Sequence, residues 1–140
     1  MDFAAFDPLA VVVAGSVGFA VGGLWYAPFA FGQVWLRYTT VKPEDLQADV
    51  ALWPTLLALG GVIAQAAVLQ LVLAASGVTG LGAALGVAAL LWAGFTAAPS
   101  LVDALESRRP LVGWMVDAGH RLMAALAMGA VLALWRAYAA

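Results

Sequence analysis

The sequence predicts an all-α, polytopic membrane protein, a bundle of four transmembrane helices, and three observations support this fold class. First, 65% of the 140 residues are hydrophobic and only 10% are charged, whereas soluble domains average about 45–50% and about 25%. Second, the mean hydropathy is +0.99. Third, the charged residues leave long uncharged stretches between them. This composition excludes a soluble globular domain and a disordered chain.

The uncharged stretches set the number of crossings. A membrane helix needs about 20 apolar residues. Residues 8–36 carry no charge and hold one crossing, whereas residues 50–102 are long enough for two. A shorter stretch before Trp135 completes a fourth crossing. We therefore expect one domain, residues 1–140, with helices at about 8–27, 53–75, 81–98 and 112–136.

Residues with special backbone preferences mark the first helix. Asp7 is suited to cap it and Pro8 to occupy its first turn. Pro28 and Gly32 are expected to end or bend it, with Gly32 in a tight bend of positive φ. We interpret the segment from Pro28 to Trp35 as a structural corner whose aromatic side chains lie along the membrane interface.

Turn signals separate the remaining helices. Residues 76–80 read Ser-Gly-Val-Thr-Gly, which predicts a tight hairpin between the second and third helices. Pro99 is expected to end the third helix, leaving residues 100–107 for a short amphipathic helix. In the loop after the first helix, residues 42–45 predict a turn that leads into a short helix.

The distribution of Lys and Arg predicts the orientation. The loops after the first and third helices carry Arg37, Lys42, Arg108 and Arg109, whereas the opposite side carries only Arg136. Cytoplasmic loops are enriched in these residues. We therefore expect these two loops in the cytoplasm and both termini outside.

A motif spans the end of the first helix and the segment after it. It reads Gly-Leu-Trp-Tyr-Ala-Pro, then Phe-Gly and Trp, and its members are Gly23, Trp25, Tyr26, Pro28, Gly32 and Trp35. It resembles the bacterial membrane-protein family called domain of unknown function 1761, in which a Leu-Trp-Tyr-x-Pro signature precedes Phe-Gly-x-x-Trp and three more apolar helices. The resemblance covers nearly the whole chain. It implies a four-helix outline in the bacterial inner (plasma) membrane and no established activity.

The few polar residues in or beside the predicted spans are the candidates for a site. Gln65 lies near the middle of the second helix, where its amide should face another helix because lipid offers no hydrogen bond. Asp117, His120 and Arg121 lie at the cytoplasmic end of the fourth helix, and Asp103 follows the third. We expect a cytoplasm-facing polar cluster in which Asp117 and Arg121, four residues apart, form an ion pair.

Three interpretations of this cluster stay open: a charge-paired boundary, a site for a lipid headgroup or small ligand, and proton transfer through His120. The chain has no Cys and a single His, so we expect no metal site. We expect no cofactor, and no nucleophile, phosphate-loop or dinucleotide motif is recognisable. A net charge of -2 argues against a nucleic-acid partner.

Small residues recur at four-residue spacing on three predicted helices, at Ala14, Gly18 and Gly22, at Gly82 and Gly86, and at Ala125, Gly129 and Ala133. This spacing lets helix backbones approach closely in lipid, within one bundle or between copies. Besides membrane lipid, a second copy of the chain or a larger membrane complex is therefore an expected partner.

Together these features favour a non-enzymatic packing or complex-forming membrane component that binds lipid or a small hydrophobic ligand. One alternative is a small transporter or channel-like protein with a cytoplasm-facing polar site. The scarcity of ionisable residues in the predicted outer half argues against it. A second alternative is a membrane enzyme acting on lipid, which the absence of a second His or a triad disfavours.

Overall fold

The computed structural model describes residues 6–39 and 52–139. Within these residues the chain is all-helical, and the fold class predicted from composition is confirmed. The helices are α1 (Pro8–Trp25), α2 (Gly32–Tyr38), α3 (Leu52–Ala75), α4 (Leu81–Trp92), α5 (Ala98–Glu106) and α6 (Leu111–Ala139), with a π-helical turn (Ala93–Ala97) between α4 and α5. Four spans are long and apolar enough to cross a membrane: α1, α3, the continuous segment Leu81–Glu106, and α6.

α6 is the central helix of the bundle, and α1 and α4 both pack along it. α1 runs antiparallel to α6, because Asp7 meets Trp135 at one end and Trp25 meets Val116 at the other. We name these the Asp7 end and the Trp25 end. α3 packs on α1 but barely touches α4. The two helices joined by the turn at residues 76–80 therefore stand apart along most of their length.

Small residues make up much of the core, and they allow the close helix contact on which association in lipid depends, because apolar burial supplies little driving force there. Gly15 lies against Ile63, and a Cβ there would come within 2.7 Å of that side chain. Gly129 faces Ala88 in the same way, at 3.2 Å. The core cluster also includes Ala10, Ala14, Ala66, Ala84, Leu73, Met128 and Leu132.

The predicted small-residue stripes therefore divide into two groups. Gly18 on α1 and Gly129 on α6 are buried inside the bundle. Gly82 and Gly86 on α4 have no atom of the described chain within 4 Å of an added Cβ, so they do not pack inside the bundle.

The third span continues past the predicted end at residue 98, which corrects that boundary. The helix runs through the π turn and α5 to Glu106. Pro99 lacks an N–H, and its ring would collide with the carbonyl four residues earlier in a regular helix. The wider π turn immediately before Pro99 relieves this conflict without ending the helix. Trp92, at the start of the turn, donates its indole N–H to the Ala118 carbonyl at 2.9 Å.

The connections differ in character. At residues 76–80 the chain turns with positive φ at Gly77 (64°) and Gly80 (88°), conformations that glycine adopts without steric cost. α1 ends at Trp25, α3 begins at Leu52 and α6 ends at Ala139, each within three residues of the predicted boundary. The turn predicted at residues 42–45 lies outside the described residues.

Candidate functional site

The family-like motif folds back on the bundle at the Trp25 end. After α1, the Phe31 N–H donates to the Trp25 carbonyl at 3.0 Å and the Gly32 N–H to the Ala27 carbonyl at 3.2 Å. The predicted positive φ at Gly32 is wrong, since the described glycines with positive φ are Gly77 and Gly80. Glycine is needed there for another reason, because a Cβ at Gly32 would collide with the Tyr26 carbonyl oxygen.

Trp25 joins this corner to α6. Its indole N–H donates to the Val116 carbonyl at 3.1 Å. Its ring stacks on Phe31, with ring centroids 4.3 Å apart. On the α6 side Gly119 makes room for the ring, and a Cβ there would come within 3.1 Å of it. Trp25 thus fixes the depth at which the corner contacts α6.

Tyr26 joins the corner to the predicted polar cluster. Its hydroxyl donates to Asp117 Oδ1 at 2.8 Å. Its ring packs edge-on against Trp35 at 5.6 Å between centroids and lies 5.1 Å from the His120 ring. Burial, reinforced by the hydrogen bond to the Asp117 carboxylate, raises the pKa of Tyr26 well above its usual value. The hydroxyl therefore stays protonated and keeps its hydrogen bond.

His120 fills the space left by a glycine of the small-residue stripe. A Cβ added to Gly22 would come within 2.9 Å of His120 Nε2. Since Tyr26 covers another face of the ring, the imidazole is held between α1 and the corner, half-buried.

The predicted ion pair between Asp117 and Arg121 is not formed. Among the described residues the ion pair within 4 Å is Arg109–Asp103, at 2.9 Å. Asp117 instead accepts the Tyr26 hydroxyl, and Arg121 is exposed on the side of α6 toward α3 and α4. Within the predicted cluster, Asp117 and His120 share Tyr26 as a neighbour, Asp103 pairs with Arg109, and Arg121 lines a different space.

A cavity of about 410 Å³ lies beside the corner at the Trp25 end. We call it the interfacial cavity. Its lining comes from α2, the turn after α5 and the start of α6, and consists of Trp35, Tyr38, Thr39, Arg108, Arg109, Pro110, Gly113, Trp114 and Asp117. Trp114 is positioned by a hydrogen bond from its indole N–H to Ser100 Oγ at 3.0 Å. The cavity therefore combines aromatic walls with charges of both signs.

A groove of about 550 Å³ opens where α3 and α4 stand apart. We call it the lateral groove. Its lining is apolar apart from Gln65, Thr96, Arg121 and the Trp92 indole, and the other lining residues are Gly61, Ala64, Val68, Leu69, Val72, Ala88, Leu91, Phe95, Ala125 and Met128. Arg121 is the charged residue of this lining, and the described chain gives it no ion pair.

Gln65 is exposed and lines the lateral groove, so it borders the space that α3 shares with α4 and α6. The buried amide is Gln70, with 4% of its surface exposed. Five residues separate the two, which rotates them about 140° around the helix. Hydropathy marks both positions as polar but does not show which one the bundle covers.

Gln70 belongs to a network at the Asp7 end that sequence reasoning missed. Its Oε1 accepts the Asp7 N–H at 3.1 Å. Asp7 Oδ1 caps α1 through the N–H groups of Leu9 and Ala10, and Oδ2 accepts the Trp135 indole N–H at 2.8 Å. The hydrogen bond from the Ala10 N–H, and to a lesser extent the one from the Trp135 indole, hold the pKa of Asp7 below its usual value. The capping signal predicted the first contact, but no local signal predicted the partners 63 and 128 residues away.

The structure has four apolar spans, a corner after the first span that packs against the last, and an apolar groove between two spans. These features define a small polytopic membrane protein. The chain belongs to the family described as Protein of unknown function (DUF1761), whose family model matches residues 9–133. The resemblance carried by the motif is thereby confirmed. No curated protein matches the chain, and no solved structure matches it.

Proposed function

We propose that this protein is a non-enzymatic component of the bacterial inner membrane that binds a membrane lipid in the lateral groove. The observation that carries this proposal is the groove itself, an apolar space of about 550 Å³ between α3 and α4 with a single charged residue in its lining. The proposed orientation places both termini outside, following the Lys and Arg distribution.

The depth and openness of the groove suit an acyl chain. Gln65 lies near the middle of α3, so the groove reaches the central part of the span. Val68, on the α3 wall of the groove, is 57% exposed, and Phe95, on the opposite wall, is 80% exposed. Ligand sites of a few hundred Å³ with mostly apolar walls and few polar groups are typical of small-molecule binding.

Arg121 supplies the polar end of the site. It lies five residues, roughly 7–8 Å, further along α6 than Val116, the residue that accepts the Trp25 indole N–H at the Trp25 end. A charged side chain at such a depth is unfavourable unless it reaches the interface or finds a counter-charge. Since Arg121 has no ion pair within the described chain, an anionic lipid headgroup is the partner that fits it. An acyl chain would then lie along Leu91 and Phe95.

The lateral groove can be tested by filling it. Gly61 lines the groove and Gly60 does not, yet an added Cβ has open space at both. We expect Gly61→Leu to reduce the lipid retained by the protein after mild-detergent purification, measured by native mass spectrometry. Gly60→Leu is the matched control and should retain as much lipid as the parent protein. Equal lipid retention by both variants would contradict the proposal.

The alternative functions receive less support from the described residues. Between the two ends of the bundle the buried side chains are apolar, and Gln70, the buried polar residue among those described, belongs to the Asp7 end. A transport path would need polar groups along that interval. Contact with a second copy or a larger complex stays a prediction, for which the open α4 face at Gly82 and Gly86 is the proposed surface.

A further inference from the structure

The turn between α5 and α6 holds an arginine in a conformation that favours glycine. Arg108 has φ 53°. Its N–H donates to the Leu105 carbonyl at 3.2 Å and the Arg109 N–H to the Ala104 carbonyl at 2.8 Å. These two bonds form the helix-ending arrangement in which the left-handed position is usually glycine. An arginine there is strained, and residues strained in this way cluster at functional sites.

The Arg108 side chain lines the interfacial cavity and has no ion pair among the described residues. The neighbouring Arg109 also lines the cavity, but Asp103 already balances its charge at 2.9 Å. Among the described residues, Arg108 is therefore the positive charge of this cavity without an ion-pair partner.

Asp117 supplies the opposite charge. Its Oδ1 accepts the Tyr26 hydroxyl, and the described chain provides no hydrogen bond to Oδ2. A purely anionic ligand would meet this carboxylate, and a purely cationic ligand would meet Arg108. A ligand that carries both charges satisfies both groups.

The aromatic walls favour the cationic half of such a ligand. Trp35, Tyr38 and Trp114 line the cavity, and aromatic ring faces attract ammonium groups. The volume of about 410 Å³ lies within the usual range for small-ligand sites, about 300–1,000 Å³. The turn that carries Arg108 lies between the ends of the two adjoining candidate spans, where a helix that crosses the hydrocarbon core is expected to reach the headgroup region.

We propose that the interfacial cavity binds a zwitterionic ammonium–phosphate group, with the phosphate against Arg108 and the primary ammonium donating to Asp117. Phosphoethanolamine has this chemistry, either as a lipid headgroup or as the free compound. A trimethylated ammonium cannot donate to Asp117, and phosphoglycerol has no ammonium. This site is independent of the lateral groove.

Lipid competition tests the proposal. The full chain carrying Gly61→Leu, which fills the lateral groove so that anionic lipid bound there does not contribute, is placed in nanodiscs with equal amounts of phosphatidylethanolamine, phosphatidylcholine and phosphatidylglycerol. It is then ejected into a native mass spectrometer. We expect about tenfold more bound phosphatidylethanolamine than either other lipid, as a charge-assisted hydrogen bond implies. Free phosphoethanolamine is titrated in a second arm. Binding of the free compound identifies the headgroup as sufficient, and binding of the lipid alone assigns the source to the membrane. If phosphatidylethanolamine is not enriched over the other two lipids and free phosphoethanolamine does not bind, the proposal is overturned.

The variant Arg108→Gly separates binding from folding. Because glycine relieves the left-handed strain, we expect an unchanged or higher melting temperature together with loss of the phosphatidylethanolamine preference. Asp117→Asn should lose the preference as well. In the same Gly61→Leu background, Arg37→Gln removes an exposed arginine outside the cavity and should keep the preference. An undiminished preference in well-folded Arg108→Gly would overturn the proposal.

Discussion

Tyr26 is the residue at which the corner after α1 and the polar start of α6 meet. Its hydroxyl holds Asp117, and its ring contacts Trp35 and His120. The arrangement depends on one proton, because a tyrosinate could not donate to a carboxylate. The raised pKa of Tyr26 shows that the surroundings favour the neutral form.

We predict that Tyr26→Phe lowers the free energy of unfolding by about 1 kcal/mol, since it removes one hydrogen bond from a partly buried carboxylate. The loss should also change the pH dependence. A tyrosine whose pKa is raised on folding contributes stability below its usual pKa of about 10 and loses it as the pH rises further. The parent protein should therefore lose stability above about pH 10 more steeply than Tyr26→Phe.

Unfolding in mixed micelles between pH 7 and pH 11 measures both effects. Tyr138, which is 89% exposed, provides the control, and Tyr138→Phe should match the parent protein at every pH. Parallel pH curves for Tyr26→Phe and the parent would show that the Tyr26 proton does not contribute to stability.

At the scale of elements, two local features decide where a helix continues and where the chain turns. Pro99 continues a helix because the π turn before it absorbs the steric conflict. At the start of α2, position 32 must be glycine because the Tyr26 carbonyl oxygen occupies the space that a Cβ would take. Both features position aromatic or charged groups against α6.

We predict that Gly32→Ala destabilises the protein by about 1–3 kcal/mol, the usual cost of forcing a methyl group into a filled space. The corner must move to admit the Cβ, which separates Tyr26 from Asp117. Gly23 belongs to the same motif but has no atom within 4 Å of an added Cβ. Gly23→Ala should therefore be neutral or slightly stabilising within α1. Equal melting temperatures for the two variants would show that the corner is not tightly packed.

At the scale of the whole molecule, the two ends of the bundle differ. The Asp7 end is closed by a network in which Asp7 contacts α3 through Gln70 and α6 through Trp135. The Trp25 end is open, with the interfacial cavity beside the corner. The interfacial cavity thus lies at the end that the charge distribution predicts to be cytoplasmic.

We predict that single cysteines at the two ends are labelled from opposite sides of the inner membrane. The parent chain has no cysteine. Ser107 follows α5 and Ser76 follows α3, and both are exposed. A membrane-impermeant maleimide added to intact spheroplasts should label Ser76→Cys, and it should label Ser107→Cys only after permeabilisation. The reverse labelling pattern would show that the chain has the opposite orientation. Labelling of both cysteines from outside would contradict the four-span topology.

The sequence by itself determined the number of candidate spans, the approximate bounds of all but the third, the cap at Asp7 and the family, because hydropathy, charge spacing and a contiguous motif are local properties of the chain. Only the tertiary structure decided which polar groups meet. Asp117 bonds to Tyr26 rather than to Arg121, and Gln70 rather than Gln65 is buried. Those outcomes depend on how each helix is rotated about its axis and on which helices separate, and small-residue packing across the whole bundle sets both.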